Sequence, residues 1–173
     1  FPGSSGDMKI SRAEGAPPAW IVSSSSGPVG YIASTAEVTR SVGYSGQPID
    51  VLVGISMQAR ITGAVLVKHN EPVLTLGISS EDISRYVTAF TGYDLKATAI
   101  EAFKDSAGLP PIIARATVST GVIRDAIVRT ARTVAIGHAL LAGKGAGIDR
   151  VSFEAKTCDE LTRDGSVAHV ALN

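Results

Sequence analysis

The sequence predicts an α+β fold, an antiparallel sheet with helices packed against it. Three observations predict it. Short β-rich runs early in the chain double back across clusters of Gly, Pro and Ser, the pattern of hairpins. Two later stretches carry apolar residues at helical spacing. Strands and helices do not alternate as they would in a parallel βαβ sheet.

Residues 1–19 are rich in Gly, Ser and Pro and are expected to form an irregular lead-in. Trp20-Ile21-Val22 reads as a strand, 23–28 as a turn, and 29–34 as the returning strand. Tyr44-Ser45-Gly46-Gln47-Pro48 is a loop. Residues 50–56 (DVLVGIS) and 60–69 (RITGAVLVKH) form a second hairpin through Met57-Gln58-Ala59, with Val65 and Val67 alternating against Leu66 and Lys68. Asn70-Glu71-Pro72 breaks it, and 73–78 reads as a further short strand or an extended segment. Ser79-Ser80-Glu81-Asp82 has the hydroxyl and acids of a helix start. Ile83, Tyr86, Val87 and Phe90 continue it at helical spacing, and Gly92 is its expected stop. Gly108-Leu109-Pro110-Pro111 is a break. The longest helix is predicted over about 119–141, with Ile123, Ile127, Val134 and Leu141 on its apolar stripe and Arg124, Arg129 and Arg132 largely off it. Residues 151–153 and 167–172 read as late strands around a turn at 162–165.

At 173 residues, with 45% hydrophobic and 18% charged side chains, the chain is expected to be one domain, 1–173, with a sizeable core. Sixteen basic and sixteen acidic residues cancel, which argues against a nucleic-acid partner, since that needs a basic face. Aromatic residues make up 5%, too few for a base-stacking platform. Cys158 is the single cysteine, so no internal disulfide and no cysteine-rich metal site can form within the chain. No apolar run approaches the roughly 20 residues of a membrane span. A start at Phe1 is expected of a processed product or a piece of a larger protein.

Thr117 is the leading candidate for chemistry. It lies in Ala114-Arg115-Ala116-Thr117-Val118-Ser119-Thr120-Gly121, where hydroxyls meet the free N–H groups of a helix start. That combination suits a phosphate, and Arg115 adds a phosphate-pairing side chain. The plainer reading is helix capping. His69 and Glu71 stand two apart at a strand end, on one side of an extended chain. They are either water-facing loop groups or part of a site. A metal would need a third ligand, and nothing brings His138 or His169 close, so no metal site is expected. There is no nucleophile elbow and no phosphate-binding P-loop, and Gly143-Lys144-Gly145-Ala146-Gly147 follows a helix rather than a strand.

The chain resembles the flavin mononucleotide (FMN)-binding domain family over nearly its whole length. Phe1-Pro2-Gly3, Pro17-Pro18-Ala19-Trp20 and Gly30-Tyr31 match the opening region. The family's Y-S-G, D-V-L-V-G-I, R-I-x-G, H-x-E-P and G-I segments appear as 44–46, 50–55, 60–63, 69–72 and 77–78. Ser152-Phe153-Glu154 and Asp164-Gly165-Ser166-Val167 match the branch of the family that serves nitrous oxide reductase. Family members commonly carry FMN as a phosphoester on the threonine of D-x-x-[ST]-G-A-T, just before a helix. Thr117 and Ala116 fall on its last two positions, while Pro111, Ala114 and Arg115 replace its Asp, Ser/Thr and Gly. A glycine there would allow unusual backbone angles; arginine offers a charge contact instead.

The resemblance therefore implies a periplasmic electron-carrying flavodomain, not an enzyme, in which FMN does the chemistry. It assigns cofactor contacts to Ala114, Arg115, Ala116, Thr117, Val118 and Ser119, with His69, Glu71, Leu76 and Gly77 along the ring and Tyr44 and Gly46 nearby. It implies as partners a flavin transferase, the redox partners of the nitrous oxide reductase system, and the membrane helices and iron–sulfur part of a full-length protein tethered to the inner membrane. The alternatives are a flavin-free sensor or scaffold and a flavin reductase with its own substrate.

Overall fold

In a computed structural model of the chain, residues 7–72, 74, 78–96, 108–141 and 157–163 are described. Contacts divide the chain into two compact units, Phe1–Gly143 and Lys144–Asn173.

In the first unit, β1 (Lys9–Arg12), β2 (Trp20–Ser24), β3 (Gly27–Ser34), β4 (Asp50–Ser56) and β5 (Ile61–Lys68) form one antiparallel sheet in the order β1-β2-β3-β4-β5. Short turns join β2 to β3 and β4 to β5, whereas longer connections, residues 13–19 and 35–49, link β1 to β2 and β3 to β4. The α+β expectation holds. The hairpin β4–β5 begins where the sequence put it, and β4 alternates buried and half-buried residues along its length, the two-residue period of a sheet with one face covered.

The lead-in differs from expectation. Lys9–Arg12 is an edge strand paired with β2, Lys9 opposite Ser23 and Arg12 opposite Trp20. All four of its residues are exposed, so it carries no hydrophobic alternation to betray it. It is fastened from outside: the Arg12 guanidinium lies 4.5 Å from the Trp20 ring centroid and pairs with Glu37 at 2.7 Å. Within the expected extended segment 73–78, Leu74 is helical, and residues 73 and 75–77 lie outside the described residues.

Three helices whose full length is described accompany the sheet. The short α1 (Thr35–Val38), which the sequence does not announce, is capped by Ser34, and its buried Thr35 hydroxyl bridges Ile49 C=O and Val51 N–H. In α2 (Ser80–Thr88), the Ser79 hydroxyl accepts the Asp82 N–H at 3.0 Å and donates to the Asp82 carboxylate at 2.7 Å, a reciprocal cap. Gly92 stands beyond the α2 C-cap, Ala89, in a left-handed turn that returns to β5.

α3 (Thr117–Gly137) starts two residues before its predicted start and ends four before its predicted end. Ala139 adopts φ +58°, Ala139 N–H bonds Ile136 C=O, and Leu140 N–H bonds Ala135 C=O. This is the six-to-one closure normally built on glycine. Gly137 serves another purpose: a Cβ there would stand 2.2 Å from Pro17 Cδ. Ile123, Ile127, Ala131 and Val134 of α3 and Ile83, Tyr86, Val87 and Phe90 of α2 join Val51, Val53, Ile55 and Ile61 of the sheet in one core.

In the second unit the described element is α4 (Cys158–Arg163). Thr157 and Glu160 cap it reciprocally. The expected strands at 151–153 and 167–172 lie outside the described residues. Among the described residues, no helix is long and apolar enough to cross a membrane.

Candidate functional site

Arg115 is where sequence and backbone disagree most informatively. Its φ is +72°, the left-handed region that favours glycine. Arg115, where the resemblance expects a glycine, therefore adopts a conformation that glycine favours. The turn delivers the chain into α3 through Ala116, which is buried and makes no side-chain cap. The first-turn donors of α3 meet no acid there either. Among the described residues, the Thr117, Val118 and Ser119 N–H groups have no hydrogen-bond partner; the first helical bond is Thr120 N–H to Ala116 C=O at 2.9 Å.

The neighbouring hydroxyls have different fates. Ser119 is buried and donates to Glu71 Oε2 at 2.5 Å. Thr120 is buried and donates to Ala116 C=O at 2.8 Å. Thr117 is exposed, and its hydroxyl makes no hydrogen bond among the described residues. Ala114, Arg115 and Val118 are exposed around it. Arg115 forms no ion pair among the described residues.

Glu71 lies on the buried side of the same turn. Its side chain is fully buried. Oε2 accepts the Tyr44 N–H at 3.0 Å as well as the Ser119 hydroxyl, and Oε1 accepts the Ser45 N–H at 3.0 Å. Gly43 lets the carboxylate in, since a Cβ there would be 2.1 Å from Oε1. Burial raises the carboxyl pKa, but the hydrogen bonds from Ser119, Ser45 and Tyr44 outweigh it and the net displacement is downward. Glu71 thus joins the Tyr44–Gly46 turn to the start of α3. Gly46 closes that turn at φ +74°, with its N–H on Gly43 C=O. The Tyr44 side chain itself points outward and is 74% exposed. His69 is half-buried and accepts the Glu71 N–H on Nδ1 at 3.3 Å, a bond within its own loop. Leu76 and Gly77 lie outside the described residues.

Three sequence motifs distant along the chain, at 44–46, 69–72 and 114–119, therefore meet at one point. On the other flank of α3 lies a groove of about 520 Å³ between α2 and residues 110–115. Its lining includes Arg85, Tyr86, Pro110, Ile113 and Arg115. Tyr86 donates to Thr120 C=O at 2.9 Å. Burial pushes its phenol up to about 12, partly offset by nearby Arg124. None of these groove residues except Arg115 stood out in the sequence. Tyr86 read as core, and the only available signal for Arg124 was its i+7 spacing from Thr117. Among the described residues, no group of three His, Cys, Asp or Glu side chains gathers to hold a metal.

No protein-family profile matches the chain. Three characterised proteins do. Protein NirI of Paracoccus denitrificans is 43% identical over 171 residues, covering 99% of this chain and 24% of NirI. The regulatory protein NosR of Pseudomonas aeruginosa is 29% identical over 153 residues, covering 84% of this chain and 21% of that protein. NosR of Stutzerimonas stutzeri is 27% identical over 180 residues, covering 99% and 24%. The chain spans under a quarter of the length of each relative. It is a homologue of the NirI and NosR proteins across that segment.

Proposed function

We propose that this segment is a periplasmic flavodomain that carries FMN as a phosphoester on Thr117 and passes electrons in support of nitrous oxide reductase activity or maturation. The observation that carries the reading is the state of Thr117: an exposed hydroxyl at an uncapped helix start, without a hydrogen-bond partner among the described residues, just ahead of Ser119 and Thr120, whose hydroxyls are already committed. The residues fit the phosphate. First-turn N–H groups without a partner among the described residues and the helix dipole favour an anion, and the Arg115 guanidinium, which forms no ion pair among the described residues, adds a charge that a phosphate can take bidentately. The left-handed turn at Arg115 holds the backbone as the family glycine would, so the substitution leaves the geometry of the motif in place.

Attachment by a separate flavin transferase would use a flavin dinucleotide. The Thr117 Oγ–P bond forms, the P–O bond to the adenylate breaks, AMP leaves, and the hydroxyl proton passes to a base on the transferase. The bound flavin would supply reversible electron uptake; the protein would hold the phosphate, orient the group and limit water. The likeness to NosR, named a regulatory protein, and to NirI supports a place among such proteins; the partners in this reading are a flavin transferase, the redox partners of the nitrous oxide reductase system, and the membrane and iron–sulfur parts of a longer protein.

The test is intact mass after co-production with a flavin transferase in an exporting host. The chain should gain one FMN less water, and Thr117→Val should gain nothing. An adduct that persists in Thr117→Val, or a colourless unmodified wild type, would refute the reading, the latter in favour of a flavin-free scaffold.

A further inference from the structure

We propose that Glu71, acting through Ser119, is a positioning residue: it sets the first turn of α3 so that the Thr117 hydroxyl and the N–H groups of that turn are held outward before any phosphate arrives. The inference rests on the reading of this turn as a phosphate site given above, and adds what makes the turn competent.

α3 begins with little of its own to order it. Its N-cap, Ala116, offers no side-chain bond, and its first turn carries no acid, so this end of the helix is prone to fray. The hold comes from the buried side. Ser119 donates to Glu71 Oε2 at 2.5 Å, and the carboxylate is itself fixed. Oε2 also accepts the Tyr44 N–H and Oε1 the Ser45 N–H, each at 3.0 Å. The turn that carries these two donors is closed by Gly43 N–H on Gln47 C=O and Gly46 N–H on Gly43 C=O. Gly43 packs so close to Oε1 that a Cβ has no room there.

Helix geometry turns this anchor into an orientation. Residues two apart on an α-helix point roughly 200° from each other. Drawing Ser119 inward to Glu71 therefore turns Thr117 outward, which agrees with the burial: Ser119 is 1% exposed and Thr117 lies on the surface. Neither neighbour can take the place of Ser119. Val118 has no side-chain donor, and the Thr120 hydroxyl is bonded to Ala116 C=O.

The indirect link matters chemically. A side chain that caps a helix directly accepts first-turn N–H groups and so competes with a bound anion. Glu71 engages a hydroxyl of α3 instead. It sets a negative charge at the positive end of the helix dipole, yet the Thr117, Val118 and Ser119 N–H groups keep no partner among the described residues.

Inorganic phosphate probes the turn without any covalent step. In amide NMR titrations the wild-type chain should show saturable shifts at Thr117, Val118 and Ser119. Ser119→Ala cuts the link and leaves both backbone donors on Glu71. It should weaken binding about tenfold or more, since a misplacement of roughly 1 Å can cost about 10²-fold. Ile127→Val, a buried change further along the same helix, destabilises the chain without touching the turn and should bind as wild type does. The single-turnover rate of FMN attachment, with the transferase in excess, should fall in Ser119→Ala and not in Ile127→Val. Hydrogen exchange in the wild type needs no variant: the Thr120 amide, on the first helical bond, should be protected like that of Ala131 in mid-helix. Phosphate binding without FMN attachment would sink the reading of Thr117 and leave this inference standing. No phosphate binding by the wild type, no loss in Ser119→Ala, equal losses in the two variants, or a Thr120 amide that exchanges as freely as a frayed end would overturn it.

Discussion

Replacing Glu71 with Gln exchanges a single heavy atom and should cost the first unit much of its stability. Among the described residues, the carboxylate accepts three hydrogen bonds in a site with no exposure: Tyr44 N–H and Ser119 O–H on Oε2, Ser45 N–H on Oε1. An amide offers one accepting oxygen. With its oxygen in the Oε2 position, it keeps Tyr44 and Ser119 but turns an NH2 toward the Ser45 N–H, which leaves a buried backbone donor unsatisfied. The opposite orientation orphans Tyr44 instead and makes the Ser119 hydroxyl turn. The milder arrangement costs about 1–3 kcal/mol for the orphaned donor. The remaining bonds lose their charge assistance, roughly half their strength. The expected loss is about 2–4 kcal/mol, a large share of the roughly 5–15 kcal/mol of a typical domain. Urea unfolding should show a lower midpoint at unchanged slope. The difference should also depend on pH. The folded carboxyl is displaced downward, so its contribution is fully present above the ordinary carboxylate range and disappears as pH falls through the folded value. Wild type and variant should therefore converge in acid. A loss under about 0.5 kcal/mol at neutral pH, the size of an ordinary surface substitution, or a difference that grows on acidification, would refute the claim that Glu71 is an ionised clamp.

Arg115→Gly should stabilise the chain by up to about 1 kcal/mol: it relieves a left-handed residue costing about 1–2 kcal/mol and gives back about 0.5–1 kcal/mol through the unfolded chain. Arg115→Ala, which keeps the strain, should be neutral within about 0.5 kcal/mol, and equal midpoints for the two variants would show that the turn is not left-handed in solution. Gly43→Ala should cost about 2–4 kcal/mol, because its methyl would take the place of Glu71 Oε1 and break the same bonds. In a Glu71→Ala background the cost should shrink markedly, and full additivity of the two changes would disprove the contact.

The sequence by itself determined the elements whose signal is local. Residues 50–56 read as a strand because β-branched and aliphatic residues run together there. Ser79 read as a cap because hydroxyl and acid stand three apart, and Ile123, Ile127 and Val134 read as one buried stripe. All of these hold, since short-range periodicity and capping chemistry are written in neighbouring residues. Thr117 was also legible, as a hydroxyl ahead of a helix.

Tertiary structure alone decided the rest. β1 is polar and edge-bound, so only its pairing with β2 makes it a strand. α3 stops at Ala139 because the chain turns left-handed there, which an alanine does not advertise. Glu71 could equally have been a solvated loop acid. It became a buried clamp only when residues 27 positions upstream and 48 downstream supplied its donors. Which of the three hydroxyls at 117–120 makes no hydrogen bond among the described residues was likewise decided by partners remote in sequence or hidden in the turn. A buried polar group is stable only where distant donors converge on it, and that convergence is a property of the fold, not of any short stretch of chain.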